Sequence, residues 1–163
     1  MRVLFIGCVR SSELFLNKLL QMKADIVGVV TKAEAGINAD FVDIGQICEK
    51  NQLDYIYVKN INELESKTYI QQKKPDLILC LGWSQLLDEE ILKIPAEGCI
   101  GFHPAKLPYN RGRHPLIWAL ALGLESTAST FFYMDAHADT GEIVSQRELP
   151  ISYEDDATSL YHK

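Results

Sequence analysis

Val3-Leu4-Phe5-Ile6-Gly7 is a continuous apolar run closed by a glycine. Such a run reads as a strand buried on both faces of a parallel sheet, because a strand with one solvated face would alternate polar and apolar residues. Outward from it, Ser11 or Ser12 is expected to cap a helix whose apolar residues Leu14, Phe15, Leu19 and Met22 recur at helical spacing. Ile26-Val27-Gly28-Val29-Val30 then returns as a second strand. Strand, helix and strand in that order make a βαβ unit, whose crossover is expected to be right-handed.

The rest of the chain extends this pattern. Residues 31–40, with Gly36 and Asn38, read as a mobile surface loop, and Asp40 is expected to cap a helix bearing Phe41, Ile44, Ile47 and Cys48 on one face. A strand follows at 55–58, and Asn60-Ile61-Asn62-Glu63 has capping-box spacing before a helix that ends near Lys74-Pro75. Residues 76–81 form another buried strand, leading through Gly82-Trp83-Ser84 into a helix expected over 85–93. A short strand at 99–102 presents His103 at its C-terminal end, and a helix occupies 115–122. Residues 129–134 and 143–149 read as late strands that pair antiparallel. The fold class is α/β, with a mostly parallel central sheet, helices on both faces and a late antiparallel portion.

With 163 residues, 47% of them hydrophobic, the chain fits one domain with a substantial core. A net charge of -6 and a pI near 5.2 disfavour nucleic acid and anionic membranes as partners, since both need a basic surface. Cys8, Cys48, Cys80 and Cys99 are widely spaced, which points to reduced, buried thiols and a cytoplasmic setting. No apolar span is long enough to cross a bilayer. Asp155 and Asp156 open a helix that stops after about two turns. Residues 1–163 therefore read as a single domain cut short at its C-terminal end, the front part of a longer protein.

Two polar loops carry the chemistry. The first, Gly101-Phe102-His103-Pro104-Ala105-Lys106-Leu107-Pro108-Tyr109-Asn110-Arg111-Gly112-Arg113-His114-Pro115, lies in a window from Gly98 to Leu124 without an acidic residue, although the chain has 22. Lys106, Arg111 and Arg113 in that window suit a phosphate-bearing ligand, because arginine binds phosphate bidentately; an ordinary solvated loop has the same composition. The second loop is Asp135-Ala136-His137-Ala138-Asp139-Thr140-Gly141. His103 at a strand end, with Asp139 as carboxylate partner, would give a cation able to stabilise an oxyanion or relay protons. Asp135, His137, Asp139 and His103 lack an established zinc spacing, so no metal is expected. The turn Gly7-Cys8-Val9-Arg10-Ser11-Ser12 lacks the glycines of a dinucleotide-binding loop, which argues against nicotinamide and flavin.

His103-Pro-Ala-x-Leu107-Pro108-x-x-Arg111-Gly112-x-x-Pro115, followed by a strand and Asp135-x-x-x-Asp139-Thr140-Gly141, resembles the formyltransferase family. The likeness covers essentially the whole chain, since Val3 to Gly7 and Gly82-Trp83-Ser84-Gln85-Leu86-Leu87 fall where that family has its first strand and its folate-pocket wall. It implies a Rossmann-like formyltransferase fold and N10-formyltetrahydrofolate as formyl donor and co-substrate, with direct attack of a substrate amine on the formyl carbon. By the same resemblance His103 would steady the oxyanion, and Asp139 would set its protonation and relay the amine proton. The pterin would contact Trp83, Gln85, Leu86 and Leu87 together with Asp135, His137 and Asp139. Lys106, Tyr109, Arg111 and Arg113 would meet the acceptor.

One departure concerns the oxyanion site. The family asparagine two residues before the histidine is Gly101 here, and loss of a side-chain oxyanion donor costs roughly 10²–10³ in rate elsewhere. The hydrolase domain of formyltetrahydrofolate dehydrogenase resembles this chain in lacking it, so formyl hydrolysis is an alternative to transfer, and a noncatalytic folate- or nucleotide-sugar-binding module is another. The acidic charge disfavours tRNA as acceptor, and the glycine-poor first turn disfavours the purine-pathway substrate. An amino sugar on a nucleotide diphosphate remains: a small-molecule amine that bears phosphate, with no nucleic acid and no membrane partner. A homodimer stays open.

Overall fold

The computed structural model describes residues 1–35 and 39–163. The chain forms two compact units, Met1–Ile100 and Gly101–Lys163. In the first, β1 (Arg2–Ile6), α1 (Arg10–Gln21), β2 (Asp25–Thr31), α2 (Ile44–Lys50), β3 (Tyr55–Tyr57), α3 (Leu64–Lys73), β4 (Leu77–Cys80) and the short α4 (Glu89–Leu92) follow in order. β1 pairs in parallel with β2 on one side and β4 on the other, and β3 joins beyond β2. This central place accounts for the opening apolar run. Leu4, Phe5 and Ile6 have no exposure, and burying side chains of this size stabilises by about 1.5–3 kcal/mol each.

Sequence expectation and structure part company at helix starts. Asp40 does not cap α2. The chain there is already engaged: Phe41 bridges Val9, Arg10 N donates to Asp40 O at 2.9 Å, and Val42 N donates to Cys8 O at 3.0 Å. Asp43 takes the capping role, accepting from Gly45 N at 3.0 Å. In α1, Ser12 lies inside the first turn, where its Oγ accepts from Val9 N at 3.1 Å and donates to Leu81 O at 2.6 Å. The expected box at Asn60 is a local turn, Asn62 N donating to Asn60 Oδ1 at 3.1 Å, and α3 starts after Glu63.

The helix expected over 85–93 shrinks to α4. Asn62 holds the preceding stretch through Nδ2 on Leu86 O and Oδ1 on Asp88 N, both at 3.0 Å. Those long-range bonds take main-chain groups that a longer helix would use, so α4 starts only after Asp88, its cap. Of the loop expected over 31–40, Thr31 closes β2, while Gly36 and Asn38 lie outside the described residues.

The second unit begins inside β5 (Cys99–His103) and continues through α5 (Pro115–Ala121), β6 (Ser126–Tyr133), β7 (Ile143–Pro150) and α6 (Ala157–His162). Neighbours run β5-β6-β7, and β6 pairs antiparallel with β7, Ser126 opposite Pro150 and Phe132 opposite Ile143. Ala128, Thr130 and Phe132 alternate into the interior of β6. Asp156 caps α6 by accepting from Ser159 N at 2.8 Å. All four cysteines are free and buried. Burial pushes the Cys8 thiol up to about 11 and those of Cys48 and Cys99 up to about 12, so they stay protonated near neutral pH.

Candidate active site

The first polar loop is tied to the late strands. Thr130 Oγ1, fully buried on β6, donates to Ala105 O at 2.6 Å. Gln146 Nε2 on β7 donates to Leu107 O and to Thr130 Oγ1, each at 3.0 Å. These bonds fix the segment that leaves β5 at His103.

His103 is buried, at 6% exposure, and the chain engages both its ring nitrogens. Nε2 lies 2.9 Å from the main-chain oxygen of Asn110. A carbonyl can only accept, so Nε2 carries the proton. Nδ1 lies 3.6 Å from Asp139 Oδ2, an electrostatic contact too long for a hydrogen bond. Asp139 is held in turn, its Oδ2 accepting from Gly112 N at 2.8 Å. The Asp139 backbone is left-handed, with φ 55°, a conformation that aspartate tolerates better than most residues. A histidine, a carboxylate and the turn between Asn110 and Gly112 thus meet at one point.

The other expected residues divide. Asp135 organises its own loop: Oδ1 accepts from Thr140 Oγ1 at 2.6 Å and from His137 N at 2.9 Å, and these bonds lower its carboxyl below the usual aspartate value. His137 is exposed. Arg111 and Arg113 are exposed, and neither forms an ion pair among the described residues. Lys106 is already partnered, its Nζ 2.9 Å from Glu148 Oε1. Tyr109 is 71% exposed.

In the first unit, Gln85 is spent on structure. Its Oε1 accepts from Ile61 N at 3.0 Å and its Nε2 donates to Lys59 O at 2.9 Å. Leu87 is buried and Leu86 is exposed. The Lys32 ammonium sits 5.0 Å from the centre of the Trp83 ring. The Trp83 indole Nε1 is buried without a hydrogen-bond partner among the described residues, a costly state that an added acceptor would relieve.

Gly101 is confined. A Cβ there would stand 2.9 Å from Phe132 Cζ and 3.0 Å from both Phe132 Cε1 and Met134 Cγ. The aromatic ring fills the room that a side chain at this position would need. Sequence reasoning missed Phe132, Met134, Thr130 and Gln146, whose roles depend on pairing between strands. It also missed the main-chain groups of Asn110 and Gly112; the only signal was two residue types that accept left-handed backbone close together in one loop.

The chain matches the formyl transferase family over residues 1–163 and belongs to it. Methionyl-tRNA formyltransferase of Geobacter sulfurreducens is 30% identical over 167 residues, covering 100% of this chain and 53% of the relative. The bifunctional polymyxin resistance protein ArnA of Wigglesworthia glossinidia brevipalpis is 33% identical over 150 residues, covering 91% of this chain and 23% of that protein. The solved phosphoribosylglycinamide formyltransferase of Anaplasma phagocytophilum superposes with a TM-score of 0.84 at 25% identity, covering 99% and 78% of the two chains. The chain spans about half the length, or less, of the curated relatives it matches. No described helix is long and apolar enough to cross a membrane.

Proposed function

We propose that this protein transfers the formyl group of N10-formyltetrahydrofolate to a primary amine on a nucleotide-linked amino sugar, in the cytoplasm, and that residues 1–163 are a single catalytic domain of a longer protein. The donor supplies the formyl carbon, on which the acceptor amine forms a C–N bond as the bond to the folate nitrogen breaks. The observation that carries the reading is the His103–Asp139 contact at 3.6 Å, with Asp139 fixed by Gly112 N–H. His103 steadies the oxygen that gains charge. Asp139 holds charge beside Nδ1 and takes up the proton that the amine loses.

Contacts to the donor are assigned to Trp83, Gln85, Leu86 and Leu87, and to Asp135, His137 and Asp139. The unpartnered Trp83 N–H supports the first group, since a ligand acceptor would satisfy it. The internal bonds of Gln85 leave that segment to bind through its main chain. Arg111 and Arg113, exposed and unpaired among the described residues, are the phosphate contacts, with Tyr109 beside them. Lys106 would join them only by leaving Glu148.

The test is turnover of 10-formyltetrahydrofolate by the purified protein, with and without nucleotide-linked amino sugars, following tetrahydrofolate and formate. Product that depends on the amino sugar, without formate, is the expected result. Formate released without acceptor would replace transfer by hydrolysis, the alternative that Gly101 raises. Folate bound without turnover would leave a binding module.

A further inference from the structure

The tripeptide Asn110-Arg111-Gly112 touches both members of the candidate pair from one turn. The Asn110 carbonyl lies 2.9 Å from His103 Nε2, and the Gly112 N–H lies 2.8 Å from Asp139 Oδ2. The two contacts have opposite polarity, an acceptor toward the imidazole and a donor toward the carboxylate. Presenting both within three residues needs an unusual backbone. Asn110 has φ 55° and Gly112 has φ 95°, both left-handed. Space does not explain the glycine, because a Cβ at Gly112 would meet nothing within 4 Å. Its conformation does, since a side chain is disfavoured at positive φ.

We infer that Asn110 and Gly112 are positioning residues, whose main-chain carbonyl and N–H orient His103 and Asp139 as one unit, with Arg111 held between them where an anionic part of the acceptor binds. This rests on the reading of His103 and Asp139 given above. The carbonyl selects the ring orientation in which Nε2 bears the proton, and the amide keeps the carboxylate beside Nδ1 instead of free in solvent. Asn110 acts through its backbone, so what matters is the tolerance of its side chain for positive φ. Glycine is therefore a conservative replacement there, and valine is not, since a β-branched residue at positive φ is a genuine outlier.

The experiment compares Asn110→Gly and Asn110→Val in the full chain, with ¹⁵N NMR of the His103 ring and steady-state kinetics on the formyl donor and an amino-sugar acceptor. In the parent the NMR is expected to show His103 protonated at Nε2. Asn110→Gly keeps that signal and kcat. Asn110→Val shifts the signal and lowers kcat by on the order of 10²-fold with KM for the donor retained, the cost of a small misplacement of a reacting group. Arg111→Gln raises KM for the acceptor and leaves the His103 signal in place. A parent His103 without a proton on Nε2 would overturn the inference. So would a valine variant with unchanged signal and kcat, or a glycine variant as damaged as the valine one. Should Asn110→Val fail to fold, the parent signal and Gly112→Ala decide in the same way, the alanine variant being expected to lower kcat while donor binding persists. A parent that shows the Nε2 proton but turns nothing over would sink the functional reading and leave the positioning intact.

Discussion

Replacing Gly101 by alanine should destabilise this protein, opposite in sign to the usual effect. A glycine inside a strand is ordinarily worse than alanine by roughly 0.5–1 kcal/mol, so the change would normally stabilise. Here the new methyl would stand 2.9–3.0 Å from two atoms of the Phe132 ring and 3.0 Å from Met134 Cγ, whereas optimal carbon contacts lie at ~3.5–4.0 Å. Phe132 is 3% exposed and cannot swing into solvent. Forced overpacking of this kind costs about 1–3 kcal/mol. For a chain of 163 residues that corresponds to a fall in Tm of about 2–12 °C, at ~2–4 °C per kcal/mol. The assay is thermal unfolding followed by far-UV circular dichroism, in a double-mutant cycle with Phe132→Leu, which shortens the obstructing side chain. The two changes should couple, the leucine relieving much of the alanine penalty. A raised Tm in Gly101→Ala, or strictly additive losses in the double variant, would refute the packing account. The functional corollary concerns the family asparagine: Gly101→Asn would have to displace Phe132 before its amide could reach any substrate.

Thr130→Ala removes the buried hydroxyl that joins Ala105 O to Gln146, and should cost about 1–3 kcal/mol in urea unfolding because a buried carbonyl loses its donor; a loss under half a kcal/mol would mean that Gln146 re-pairs with that carbonyl. Asp139→Asn can keep an acceptor for Gly112 N–H but removes the charge beside His103, so Tm should hold while kcat falls by on the order of 10²-fold or more. An unchanged kcat would take Asp139 out of the chemistry. Asp135 has its folded-state value lowered by the Thr140 hydroxyl and the His137 N–H, so its contribution to stability is present above the ordinary aspartate value and is lost as pH falls through the lowered one. The urea midpoints of the parent and Asp135→Asn should therefore differ near pH 6 and draw together as pH falls below the ordinary aspartate value; a constant gap would assign the effect to packing.

The strand core was legible because it rests on local composition. β1, β2 and β4 announce themselves as apolar runs, and their parallel pairing follows from burial on both faces. Helix starts were less legible, because a capping side chain in sequence does not reveal which backbone is already claimed. Asp40 lost its role to the Val9–Phe41 bridge, and the helix expected over 85–93 lost its first turns to Asn62. The candidate site was half visible. His103 and Asp139 could be named from residue type and loop position, and Arg111 and Arg113 from the local absence of acids.

What the amino-acid sequence determined on its own is the α/β order of elements, the two polar loops and the residue types that can do acid–base work. Those properties depend on periodicity and side-chain chemistry over short stretches. Only the tertiary structure decided that Asn110 O faces His103, that Gly112 N–H holds Asp139, that Lys106 is taken by Glu148, and that Phe132 closes the space at Gly101. Each of these depends on backbone dihedrals and on contacts between residues distant in the chain. Main-chain carbonyls and amides are the same at every position, so no residue letter records where they point.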